Sequence, residues 1–169
     1  DKLEVLRKVL RIINPKKAIV FASKGGDEIE IILQKLLYHK FKVDAIHGSN
    51  KKLERKKALE DFKNGKIQVL LASDIAARGL DIEGVTHVFN LNAPEDYKAY
   101  LHRAGRTGRA GKIGMSVTIV TKSELETIKC YKNALKIKIC EKAMYNGEIV
   151  EPKRKIIKNT GNTKNKYYQ

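Results

Sequence analysis

The chain is poor in everything that would tie it to a disulfide scaffold, a metal centre or a membrane. Its 169 residues hold two cysteines, Cys130 and Cys140. They are a weak basis for a disulfide and read as reduced thiols of an intracellular, cytoplasmic protein, the nucleus remaining open. The four histidines are scattered without metal-ligand spacing, so no metal ligand is expected. No stretch reaches the roughly 18 apolar residues of a spanning helix, and no signal peptide opens the chain. There is no Gly-x-x-x-x-Gly-Lys-Ser/Thr loop to cradle nucleotide phosphates. Acid is also scarce: 19 Asp and Glu stand against 35 Lys and Arg, a net charge of +16. That imbalance points to a polyanionic partner, and without a membrane segment the polyanion expected is nucleic acid.

What is present suits one folded domain. Hydrophobic residues at 42% and charged residues at 32% are globular rather than disordered proportions, and the length suffices for a real core. Leu3, Leu6, Leu10 and Ile13 recur at helical spacing ahead of Pro15, which stops that helix. Residues 18–22 predict a short buried strand, and residues 23–27 a turn. Ile29, Ile32, Leu33, Leu36 and Leu37 lay one apolar stripe along a second helix. Strands are then predicted over 43–46, 67–72, 85–91 and 116–120, and helices over 51–62, 96–104 and 123–135. Alternation of this kind predicts right-handed crossovers and a mainly parallel sheet covered on both faces. From Pro152 the chain turns to Lys153, Arg154, Lys155, Lys158, Lys164 and Lys166 among Asn, Thr and Gly. Residues 151–169 are therefore expected to be a flexible basic extension of a domain over 1–150. Tyr167 and Tyr168 could stack on bases, although a solvated tail with no dedicated site explains them as well.

Two segments carry chemistry. Between Tyr100 and Gly111, Arg103, Arg106 and Arg109 recur every third residue among Gly105, Gly108 and Gly111. Arginine is seldom buried unpaired and glycine is costly inside a helix, so structure alone explains this run poorly. Planar guanidinium forks suit phosphate oxygens. The competing explanation is a solvated basic loop. Upstream, Leu-Ala-Ser-Asp-Ile-Ala-Ala-Arg-Gly-Leu-Asp-Ile ends an apolar strand. Ser73 and Asp74 can cap a short helical turn there. Arg78, Gly79 and Asp81 follow where open parallel sheets bind ligands, outside the carboxyl ends of their strands. Capping alone accounts for Ser73 and Asp74 but not for Arg78 to Asp81.

Together these segments resemble motifs V (Ser-Asp-x-x-Ala-Arg-Gly-Leu-Asp) and VI (His-Arg-x-Gly-Arg-Thr-Gly-Arg) of DEAD-box RNA helicases. Ala18-Ile19-Val20-Phe21 is similar to that family's motif IV strand. Ile46-His47-Gly48 through Arg55, Phe62 and Gly65 is similar to its segment between motifs IV and V. The likeness runs from about Ala18 to Val120 in the family's order, and His102 is its most specific residue, related helicases usually having Gln there. It implies a RecA-like three-layer α/β/α domain, the second of two, with ATP as cofactor and Mg2+ held by the preceding domain. Arg106 and Arg109 match the arginine fingers on the γ-phosphate. Asp81, with Gly79, matches the nucleotide side of motif V. His102 and Arg103 match residues that couple nucleotide closure to the facing domain. Ser73, Asp74, Gly79, Gly48 and Arg55 match the RNA-contacting surface, the lesser alternative for Arg55 being that it only covers its own helix. The partners implied are RNA and the N-terminal RecA-like domain of the same protein, with no membrane, in a monomer. Ser49, Lys52, Ser23, Lys24 and Asn92 depart from the family pattern in and around motifs IV and IVa, while motifs V and VI stand intact. The alternatives from other classes are a non-catalytic RNA-binding module and half of a related DNA helicase.

Overall fold

A computed structural model of the chain describes residues 1–22, 25–80, 82–109 and 111–152. Its first helix, α1 (Lys2–Ile13), is started by Asp1, whose carboxylate accepts the Leu3 N–H at 2.9 Å. It is stopped by Asn14 in the left-handed region (φ 44°), ahead of Pro15. The strand β1 (Ala18–Phe21) follows and is buried throughout, then α2 (Gly25–Tyr38), β2 (Val43–Ile46), α3 (Lys52–Lys63) and β3 (Val69–Ala72). One turn of helix, α4 (Asp74–Ala77), leads to β4 (His87–Asn90), α5 (Tyr97–Ala104) and β5 (Met115–Thr118). A single 3-10 turn, Lys122–Glu124, enters α6 (Leu125–Leu135).

The five strands form one sheet in the order β2-β3-β1-β4-β5, with every pair parallel. Side chains alternate along each strand, so the strands feed two separate cores. Ala18, Val20, Val69, Leu71 and Phe89 face one side with Leu6, Leu10, Ile29 and Leu36 of α1 and α2. Ile19, Phe21, Leu70, Ala72 and Val88 face the other with Ala58 and Phe62 of α3 and Ala76 of α4. Each fully buried Leu or Phe in these layers contributes about 1.5–3 kcal/mol of transfer free energy. The mainly parallel sheet with helices on both faces is the expected RecA-like α/β/α architecture.

Two local differences from the sequence expectations have physical causes. Gly25 and Gly26, expected in a turn, begin α2 instead. The first helical turn passes so close to the exit of β2 that a Cβ on Gly26 would sit 2.9 Å from Nδ1 of His47. The second difference is an antiparallel hairpin, β6 (Ala143–Tyr145) and β7 (Glu148–Val150), that periodicity over so short a segment did not reveal. Its turn is Asn146-Gly147, both left-handed at φ 47° and 81°, as a two-residue hairpin turn requires. Met144 and Ile149 pack partly buried on the α1–α2 core. The basic segment from residue 153 onward lies outside the described residues, as do Ser23, Lys24, Asp81 and Ala110.

Candidate nucleotide and RNA site

The carboxyl ends of β3, β1 and β4 meet at Arg103. Its side chain, only 3% exposed, lays a fork on Asp74: Nε donates to Oδ1 at 2.7 Å and Nη2 to Oδ2. Nη1 donates to Oδ1 of the fully buried Asn90 at 3.2 Å, and the guanidinium carbon lies 5.1 Å from the centroid of the Phe21 ring. Asn90 in turn donates to Oγ1 of Thr118 at 3.1 Å. Phe21 ends β1, Asn90 ends β4 and Asp74 opens the helix after β3. One buried cation therefore ties three strand ends together with both charge-bearing segments. Asp74 is 46% exposed at its side chain, so its outer face still meets solvent.

The turn after β3 is built as its sequence suggested. Oγ of Ser73 accepts the Ala76 N–H at 3.2 Å and caps α4. Gly79 follows at φ 73°, a conformation that strains any residue with a Cβ, and is exposed with open space around it. Arg55, on α3, donates from Nη2 to the Ala76 carbonyl at 2.7 Å and so fixes α4 from the side. Gly48 is exposed just beyond β2, where Asn50 Oδ1 accepts the His47 N–H at 2.6 Å. The His47 ring is buried, and its Nδ1 has no hydrogen-bond partner among the described residues.

The arginine run begins on α5, which Asp96 caps by accepting the Ala99 N–H at 2.7 Å. The helix ends at Gly105 and continues in tight turns through Arg106 N–H to the Arg103 carbonyl and Thr107 N–H to the Ala104 carbonyl, both 3.1 Å. Thr107 Oγ1 donates to the Val85 carbonyl at 2.6 Å and pins the turn to the loop that enters β4. Arg106 Nη1 donates to the Leu80 carbonyl at 2.7 Å, beside Asp81 in sequence. Arg109 Nε donates to the Gly105 carbonyl at 2.8 Å. His102 is exposed on α5.

The structure thus joins the two segments through the bonds of Arg103 to Asp74 and of Arg106 to the Leu80 carbonyl, with Ser73 and Gly79 next to those partners in sequence, and attaches Arg55 through Ala76. Gly48 and His102 make no such bridge among the contacts described, and Asp81 falls outside the described residues. Sequence reasoning missed Asn90 and Phe21 as parts of the site. The signal for Asn90 was available: a polar residue inside the apolar run Val-Phe-Asn-Leu of a doubly covered strand must find a buried partner.

A parallel sheet with helices on both faces and a buried arginine tying the carboxyl ends of three strands fits a RecA-like domain. Comparison with known proteins gives the particular kind. Residues 1–111 match the model of the helicase conserved C-terminal domain. The chain is 41% identical over 138 residues to the DEAD-box ATP-dependent RNA helicase CshA of Bacillus licheniformis, covering 82% of this chain and 28% of that protein. Among solved structures it is similar to the C-terminal domain of the DEAD-box protein Dbp5 (28% identity, TM-score 0.74, 82% of this chain and 81% of that one). It is also similar to a DEAD box protein of Methanococcus jannaschii (32% identity, TM-score 0.73, 81% of this chain and 37% of that one). The chain belongs to the helicase C-terminal domain family, as a domain of the DEAD-box type.

Proposed function

We propose that this domain is one half of an ATP-dependent RNA helicase, supplying arginine fingers to an interdomain ATP site and one wall of an RNA groove. The observation that carries the reading is the contrast between Arg103 and Arg106. Arg103 is neutralised by the carboxylate of Asp74. Arg106 bonds, among the described residues, a main-chain carbonyl and no carboxylate. A guanidinium held by one neutral bond keeps donors to offer the charge that develops on a transferring phosphoryl group.

The residues present fit one side of a nucleotide site. ATP, when bound, supplies the phosphoanhydride bond whose hydrolysis drives closure and reopening. Arg106 and Arg109 would neutralise charge on its terminal phosphate, and Asp81 and Gly79 would hold its nucleoside side. Mg2+ in this reading is held by the facing domain. His102, exposed on α5, and Arg103, through the turn it anchors, transmit closure to that domain. Ser73, Asp74, Gly79, Gly48 and Arg55 line the RNA side, where a bare glycine backbone admits a phosphate closely. Closing on single-stranded RNA and ATP together, and reopening after phosphate leaves, separates short duplexes if both ligands favour the closed state. The unit doing this is residues 1–150, with 151–169 as a basic extension.

The test is steady-state ATP hydrolysis and nucleotide binding in the two-domain protein. Arg106→Ala and Arg109→Ala are each expected to lower kcat by about 10³-fold or more while nucleotide affinity falls far less, since a finger acts on transition-state charge. This chain by itself is expected to hydrolyse ATP negligibly. Near-normal turnover in both variants would reduce the arginine turn to a basic loop.

A further inference from the structure

The opposite edge of the sheet carries a second concentration of positive charge. The chain leaves α1, α2 and α3 through Asn14, Lys40 and Gly65, all left-handed at φ 44°, 63° and 75°. The three exits enclose an open cavity of about 530 Å3 whose wall includes Arg11, Lys16, Lys40 and Lys42 and no carboxylate. It adjoins the amino-terminal ends of β1, β2 and β3, whereas Ser73 and Asp74 follow the carboxyl end of β3. A four-residue strand at about 3.3 Å per residue puts roughly 13 Å of sheet between the two places.

The helix ends explain only part of this charge. Arg11 Nη2 donates to the His39 carbonyl at 2.7 Å, which answers an orphan carbonyl but leaves the guanidinium charge unmatched. The side-chain ammonium groups of Lys16, Lys40 and Lys42 form no hydrogen bond or ion pair with any described residue. Lys40 takes the left-handed position of a Schellman turn, with its N–H on the Leu37 carbonyl and the Phe41 N–H on the Leu36 carbonyl, a place glycine fills without strain. Four cations around one concave wall repel one another and focus their field into the cavity. A chain of phosphates relieves that repulsion. The one aromatic ring on the wall, Phe41, already lies under Arg11 at 5.0 Å, so no free face is offered for stacking a base.

We propose that this cavity is a second RNA-backbone site, holding phosphates of the strand segment that extends beyond the groove at the carboxyl edge. The inference rests on the RNA-helicase reading above. Its contacts are to phosphate and carry no sequence preference.

The experiment is a salt titration of oligouridylate binding to the 169-residue chain, with a short strand of groove length and a long one. In the combined variant Lys16→Gln, Lys40→Gln, Lys42→Gln, the log–log salt slope for the long strand is expected to fall by about 2, from about 0.7 per lost phosphate contact. The slope for the short strand stays unchanged. Lys122→Gln, Lys132→Gln, Lys138→Gln, with the same loss of charge elsewhere, is expected to change the long-strand slope much less. Amide shifts of Lys42, Gly65 and Gln68 should respond to the long strand. Equal slope losses in both triple variants, or none in the first, would overturn the inference while leaving the helicase reading in place. Response of those amides to tripolyphosphate but not to RNA would reassign the cavity to a free polyphosphate. Failure of either strand to bind the chain would sink both readings together.

Discussion

At the scale of single residues, Arg103 decides the most. A guanidinium that is 3% exposed depends on Asp74 for charge balance, whereas Asp74, half in solvent, depends on Arg103 far less. Removing the acid should therefore cost more than its exposure suggests, because it strands a buried cation. Asp74→Ala is expected to lower stability by about 3 kcal/mol. For a chain of this length that is a fall in Tm of about 6–12 °C. Ser73→Ala, which removes only a helix cap, should cost about 1 kcal/mol. Thermal unfolding followed by circular dichroism separates the two, and equal losses would show that the clamp is worth no more than a cap. Glu124 gives a second residue-scale prediction. Burial raises its carboxyl pKa, but Lys2 Nζ at 2.7 Å and the Thr121 and Ala93 N–H groups outweigh burial and hold it down at about 2, against 4.5 for a free side chain. A carboxyl depressed in the folded state stabilises above its unfolded pKa and loses that contribution as pH falls through the folded one. Glu124→Gln should therefore be less stable than the parent at neutral pH. The gap should close between pH 4.5 and about 2, measured by urea unfolding at each pH.

At the scale of elements, the arginine turn and the hairpin were legible to different degrees. The three-residue spacing of Arg103, Arg106 and Arg109 sets the turn apart in sequence, but nothing in that spacing says that the first is buried in an ion pair and the second rests on the Leu80 carbonyl. Those assignments come from the approach of α5 to α4, two elements whose paired residues lie 29 positions apart. The hairpin is the reverse case. Asn146-Gly147 is a strong local signal, yet three-residue strands are too short for alternation to stand out. What makes it persist is Met144 and Ile149 against the α1–α2 core. Ile149→Ala is expected to cost about 1–2 kcal/mol, less than a fully buried isoleucine, because the site is only partly covered. If the hairpin unfolds with the sheet, the urea midpoint should fall with m unchanged. An unchanged midpoint would make it a separate appendage.

For the molecule as a whole, the net charge of +16 is the property with the widest reach. Lys153, Arg154, Lys155, Lys158, Lys164 and Lys166 supply six of those charges. If all six meet phosphate, deleting residues 153–169 should flatten the salt dependence of single-stranded RNA binding by at most about 4 on the log–log scale. The contribution of the folded domain should remain. A salt titration with and without the segment checks this, and loss of all binding on deletion would leave the folded domain without an RNA surface of its own.

The amino-acid sequence by itself determined the alternation of helix and strand, the parallel sheet, and the two segments that carry chemistry. Those are local properties: apolar period, caps, glycines at left-handed positions, and cations too regular to be accidental. Only the tertiary structure decided that Arg103 pairs with a carboxylate and that Arg106 rests on a main-chain carbonyl. It also decided that Asn90 and Phe21 belong to the site, and that Arg11, Lys16, Lys40 and Lys42 face one cavity. Charge neutralisation is a pairwise matter between groups distant in sequence, and only packing chooses the pairs.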